Sequence, residues 1–250
     1  MSDKKPTGLE DVVVADSSIC FIDGKRGQLV YRGYDIDELT SNSTFEEVAY
    51  LLWHGALPNR QQLDKLRNDL DYSMVLPARL LEMMQRLPFD ANPMRVLEMA
   101  VAALGTFDPL ADDNHPEANL AKAIRLTAQM PLIVTTWHRI RNEQIPLNPR
   151  AEKSLAYNFL YLLNGQEPDE YAVKTLDTAL ILHADHELNA STFSARVTAA
   201  TLSDLHSAVV SAIGTLKGPL HGGANEAVMH MLLEIGDISK VDHYMENLIA

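Results

Sequence analysis

With a single cysteine, Cys20, among its 250 residues, the chain has no internal disulfide to form, which fits a reducing compartment. Ile19, Phe21 and Ile22 flank that thiol, the setting of a packed small hydrophobe rather than a nucleophile. Basic residues are also few: 21 Lys and Arg stand against 34 Asp and Glu, a net charge of −13. That balance argues against a dedicated nucleic-acid binder, which needs a cationic face to neutralise phosphates. No stretch comes near the roughly 18 consecutive apolar residues of a membrane span. The N-terminal Met-Ser-Asp-Lys-Lys-Pro, followed by Glu10 and Asp11, carries no signal-peptide core. The expectation is a soluble, cytoplasmic protein with neither membrane nor nucleic acid as partner. Also missing are a phosphate loop, a dinucleotide fingerprint, a Gly-x-Ser-x-Gly elbow, internal repeats and low-complexity tracts. What remains is 46% hydrophobic and 22% charged, and a globular chain of this length buries roughly 70 to 75% of its unfolded surface.

Local patterns place the elements. The β-prone runs Ile19–Asp23 and Gln28–Tyr31 flank Gly24-Lys25-Arg26-Gly27, a hairpin with a four-residue connection. Past Asp35 the apolar spacing becomes helical. Ser43-Thr44-Phe45-Glu46 reads as a capping box, Gly55 as the stop of that helix, and Asn59 as the cap of the next, with Leu63, Leu66 and Leu70 on one face. Pro77, Pro93, Pro116 and Pro149 each precede a further periodic stretch, where the missing N–H has no helical partner to lose. Pro131 interrupts the run 117–141, so a kink or break is expected there. Residues 105–116 read as a solvated surface loop. Helices are expected at about 152–163, 169–186, 191–200, 203–216, 223–236 and 238–249. The fold class is mainly α, with a small N-terminal hairpin at 19–31.

Six of the nine histidines fall from residue 183 onward, two of them in unusual surroundings. In His183-Ala184-Asp185-His186-Glu187-Leu188-Asn189-Ala190-Ser191-Thr192, the first histidine continues the face of Val173, Leu176 and Leu180, and His186 follows three residues later. Both rings are then expected together at the C-terminal end of a helix, which favours a charged imidazole suited to holding a carboxylate. The same residues also read as a core pair bonded to Asp185 or Glu187. Their spacing is not the i, i+4 pattern of zinc hydrolases, and no metal is assigned.

In Gly218-Pro219-Leu220-His221-Gly222-Gly223-Ala224-Asn225-Glu226, the glycines let backbone come close and His221 falls at a helix N-terminus. The positive dipole end there disfavours imidazolium. A neutral imidazole so placed donates a hydrogen bond to a developing enolate oxygen without first surrendering a charge. The alternative is a glycine-rich tight turn with an incidental histidine.

These two segments, in this order and behind a hairpin followed by Tyr31-Arg32-Gly33-Tyr34-Asp35-Ile36, resemble the two histidine signatures and the N-terminal segment of the citrate synthase family. The resemblance runs over all 250 residues. It implies a citrate synthase-like large helical domain over 1–218 and the beginning of a smaller, incomplete domain over 219–250, working as a homodimer. It implies an acyltransferase that condenses acetyl-CoA with oxaloacetate and hydrolyses citryl-CoA, with acetyl-CoA as substrate and no cofactor or metal. Carried over by motif position, His186 helps bind oxaloacetate and His221 hydrogen-bonds the acetyl-CoA enolate. His183 and Asn189 support them, and Asn225 steadies the turn.

The same motifs serve 2-methylcitrate synthase, which uses propionyl-CoA. The family continues past this point into a segment with a third active-site histidine, a catalytic aspartate and carboxylate-binding arginines, none of which is located in these residues. From Gly218 onward Glu226, Glu234, Asp237, Asp242 and Glu246 face only Lys240, a poor setting for two anionic substrates. The expectation is therefore a chain that is inactive alone, or a non-catalytic helical subunit completed by a second polypeptide.

Overall fold

The computed structural model describes residues 16–249, apart from the side chains of 224–226 and 249. Three short strands, β1 (Cys20–Asp23), β2 (Gln28–Tyr31) and β3 (Tyr34–Asp35), form an antiparallel sheet in that order. Cys20 pairs with Tyr31 and Asp23 with Gln28, so the expected hairpin starts one residue late. The Asp23 carboxylate accepts the Lys25 and Arg26 N–H groups and fixes its turn. The two-residue β3 was not expected. Arg32 and Gly33, both at positive φ, turn the chain tightly enough for Tyr34 to pair back onto Tyr31.

Helices α1 (Ile36–Asn42), α2 (Phe45–His54), α3 (Arg60–Ser73), α4 (Ala78–Gln85) and α5 (Pro93–Phe107) follow. Gly55 ends α2 in the left-handed conformation and Asn59 caps α3, both as the sequence reads. The capping box of α2 is Thr44 with Glu47, one residue later than Ser43 with Glu46. Glu46 is taken elsewhere: it is 2% exposed and accepts the Leu155 N–H at 2.9 Å, joining α2 to the start of α7 (Leu155–Asn164). Ser154 caps α7, so this helix begins later than the expected 152, and Pro149 lies in the loop ahead of it.

Between them α6 (Pro116–Arg141) runs without a break through Pro131. An interior proline costs about 3 kcal/mol, and packing on two sides offsets it. Leu126, Ile133, Trp137 and Ile140 enter one core with α4, α5 and Ile213, while Ala128 and Leu132 enter another with Leu66, Leu70 and Leu155. The loop after α5 is more tightly held than a solvated loop. Buried Lys122 of α6 donates to the Ala111 and Asp113 carbonyls, and Arg125 pairs with Asp108.

The remaining helices are α8 (Glu170–Leu182), α9 (Ala190–Ala200), α10 (Leu205–Leu216), α11 (Gly223–Ile235) and α12 (Val241–Ile249), the last preceded by a 3-10 turn at Ile238–Lys240. A third core joins the sheet to α1, α2 and α8 through Cys20, Tyr31, Leu39, Leu51 and Ile181. Burial pushes the Cys20 thiol up to about 12, consistent with a packed, unreactive side chain. From residue 219 onward Ile235 is the one buried residue among those described, while Val228, Met229, Leu232 and Leu233 are exposed. No helix among the described residues is long and apolar enough to cross a membrane.

Candidate functional site

The first histidine segment departs from the expected geometry. Helix α8 ends at Leu182, not at 186, and His183 is its C-cap at φ −102° and ψ 3°. The two rings are therefore not stacked on one helical face. His183 Nδ1 lies 2.7 Å from the Ala179 carbonyl. A carbonyl only accepts, so the proton of this bond sits on Nδ1. His186 stands exposed in the loop that follows. That loop is fixed at both sides of His186. The Asp185 carboxylate accepts the Glu187 N–H at 2.9 Å, and the Glu187 carboxylate accepts the Ile22 N–H of β1 at 2.9 Å.

The second segment is placed as the sequence reads. His221 lies two residues ahead of Gly223, the first residue of α11, at the positive end of that helix. The turn folds back hard onto α10: the His221 N–H donates to the Gly218 carbonyl and the Gly222 N–H to the Leu216 carbonyl, both at 3.0 Å. The two glycines are not equivalent. A Cβ on Gly222 would lie 2.3 Å from the Leu216 oxygen, whereas one on Gly223 meets nothing nearer than 3.5 Å. Gly222→Ala is expected to lower unfolding stability by about 1 to 3 kcal/mol, as overpacking against backbone does. Gly223→Ala is expected to stay within about 0.5 kcal/mol. Denaturant titration of the pair reads the difference, and equal effects would remove the close approach as the reason for Gly222.

Across the turn sits Ser191, in the first turn of α9 behind its cap Asn189, whose side-chain oxygen accepts the Thr192 N–H. Ser191 Oγ is 2.7 Å from His221 Nε2 and 3.1 Å from the Ala212 carbonyl. The approach of α9 to α10 that makes this possible is lined by small residues, as in the contact of Ser194 with Ser211. Together they wall a cleft of about 530 Å³ into which Asn189, Ser191, Thr192, Arg196 and His221 face, with Leu205, Val209 and Ile213 among its apolar walls.

The structure thus brings His221 and Asn189 to one cleft. His183 and His186 are not among its lining residues. The side chain of Asn225 lies outside the described residues. Ser191 was not singled out in the sequence, although its place two residues after a helix-capping asparagine puts it on the first turn of α9. A larger cleft of about 650 Å³, between α3 and residues 152–155, contains no histidine. His206 belongs to the core. It is 3% exposed on α10, and burial pushes its imidazole below the ordinary range against the opposing pull of Asp108 and Asp204. Among the described residues no three His, Cys, Asp or Glu side chains converge as a metal site requires.

Comparison with known proteins agrees with these motifs. The family described as "Citrate synthase, C-terminal domain" matches residues 8–250. Citrate synthase 2 of Bacillus subtilis is 49% identical over 239 residues, covering 95% of this chain and 64% of that protein. The citrate/2-methylcitrate synthase of the same organism is 37% identical over 239 residues, covering 96% and 64%. The citrate synthase of Thermoplasma acidophilum, solved as a ternary complex with carboxymethyl coenzyme A and oxaloacetate, superposes with a TM-score of 0.87 at 31% identity, covering 96% of this chain and 63% of that one. The chain therefore spans slightly under two thirds of the length of these relatives. With a family match over nearly every residue and a fold shared at this level, the chain belongs to the citrate synthase family.

Proposed function

We propose that this chain carries the oxaloacetate- and acyl-CoA-binding histidines of a citrate-forming condensation. The observation that carries the reading is the bond between Ser191 Oγ and His221 Nε2 at the N-terminus of α11. Removing a methyl proton from acetyl-CoA moves charge onto the thioester oxygen, and a fixed hydrogen-bond donor at that oxygen lowers the barrier. His221 offers its free Nδ1 for that contact. In this reading the ring proton is on Nδ1, and the single Ser191 hydroxyl proton turns to the Nε2 lone pair, which takes it away from the Ala212 carbonyl. The contact of Ser191 Oγ with that carbonyl is the longer of the two.

The enolate carbon then attacks the ketone carbon of oxaloacetate. A carbon–carbon bond forms, the ketone oxygen takes a proton, and water later cleaves the thioester to release CoA. We assign the oxaloacetate carboxylate to His186, which stands exposed in the loop after α8. His183, bonded to the Ala179 carbonyl, and Asn189, the cap of α9, hold the ends of the loop that carries it.

The base that takes the methyl proton must lie within hydrogen-bond reach of it, and we place this base and the remaining carboxylate-binding cations in the part of the relatives' length that this chain does not span. In the same reading, residues 219–250 begin a second, smaller domain, which the exposure of the apolar residues of α11 supports. Assembly as a homodimer and a cytoplasmic setting belong to the same proposal.

Thiol release with oxaloacetate as co-substrate, using acetyl-CoA and propionyl-CoA in parallel, tests the reading. The protein at its native length is expected to release CoA only when oxaloacetate is present, and residues 1–250 alone are expected to release almost none. The relative named for both citrate and 2-methylcitrate makes propionyl-CoA the second acyl donor to compare, since one methylene is worth only about 1 to 3 kcal/mol. Turnover by residues 1–250 at a rate equal to the native-length protein would sink the assignment of the base. No release at native length from either thioester would favour a non-catalytic helical subunit.

A further inference from the structure

Tyr31 belongs to the N-terminal sheet, some 150 residues away in sequence from the loop of His186, yet its hydroxyl ends inside that loop. The side chain is 0% exposed. Its oxygen lies 3.1 Å from the Ile181 carbonyl, 3.3 Å from that of Leu182 and 3.0 Å from that of Asp185, and it accepts the Asp185 N–H at 3.3 Å. Ile181 and Leu182 are the last residues of α8, whose terminal carbonyls have no partner within the helix. One phenol thus lies between the end of α8 and Asp185, its single proton within reach of three carbonyls and its oxygen accepting the Asp185 N–H. Burial pushes its pKa up, which keeps the O–H as a donor.

Two residues further on, the Glu187 carboxylate accepts the Ile22 N–H of the neighbouring strand. Glu187 holds a left-handed backbone, φ 55°, a conformation that persists in a non-glycine residue only when its surroundings impose it. His186 stands between these two anchors.

We propose that Tyr31 and Glu187 are positioning residues for His186, so that the N-terminal sheet sets the histidine against the substrate carboxylate. This rests on the assignment of His186 to oxaloacetate. Phenylalanine at position 31 keeps the ring and its packing and removes only the hydroxyl. In the protein at its native length, Tyr31→Phe is expected to raise KM for oxaloacetate about five- to tenfold, the loss of one net hydrogen bond. kcat at saturating oxaloacetate and KM for acetyl-CoA are expected to change less than about twofold. Glu187→Ala should act alike. Glu187→Gln, which retains an oxygen for the Ile22 N–H, should recover most of the loss, and this pair reads the same support if Tyr31→Phe does not fold.

A fall in kcat with no change in KM for oxaloacetate would mark a merely structural role and overturn the proposal. So would an unchanged KM in both Tyr31→Phe and Glu187→Ala beside a raised KM in His186→Ala, which leaves the assignment of His186 standing. An unchanged KM in His186→Ala would remove that assignment and the proposal with it.

Discussion

Replacing His221 with alanine in the protein at its native length is expected to lower kcat by about 10²- to 10³-fold, the usual cost of one preorganised donor at a developing oxyanion. KM for oxaloacetate should move less than about twofold. The split follows from where the ring sits. His221 is held by the turn at the start of α11, with the Gly222 N–H bonded to the end of α10 and Ser191 on Nε2. Its free nitrogen is offered to the thioester oxygen, which gains charge only as the enolate forms. An interaction made only in the transition state lowers kcat when it is lost, and leaves ground-state binding of the other substrate alone. Steady-state kinetics with each substrate varied in turn checks this, and a matching loss in oxaloacetate affinity would contradict the assigned role.

Replacing His186 with alanine is expected to do the reverse. A hydrogen bond to a charged group contributes about 1.5 to 3 kcal/mol, so oxaloacetate affinity should fall about 10- to 150-fold. His186→Gln keeps an N–H donor and should recover part of that loss. The loop geometry supports a binding role. His186 is exposed, with Asp185 and Glu187 on either side tied to the sheet, so the ring is presented by a backbone that is already ordered and little entropy is lost on contact. Fluorescence or calorimetric titration of oxaloacetate measures it. A fall in kcat at unchanged affinity would move His186 into the chemical step.

Signals confined to a few neighbouring residues were legible in the sequence. Gly55, Asn59, Pro93 and Pro116 mark helix ends because caps and stops depend on the next three or four residues. The turn of His221 was legible for the same reason. What failed was decided by distant partners. The capping box of α2 moved by one residue because Glu46 is claimed by Leu155, 109 positions away. Helix α8 stops at Leu182, where its last carbonyls meet Tyr31, so the paired presentation of His183 and His186 on a helix face did not survive. The two glycines of the second motif looked equivalent until the end of α10 was placed against Gly222. The role of Ser191 depends on α9 lying against the turn after α10, which no local pattern announces.

The division of labour between the two histidines is tested most directly by calorimetric titration of oxaloacetate into the His221→Ala protein at its native length. The predicted result is wild-type affinity in a protein whose kcat has fallen by about two to three orders of magnitude. An affinity loss equal to that of His186→Ala would contradict it.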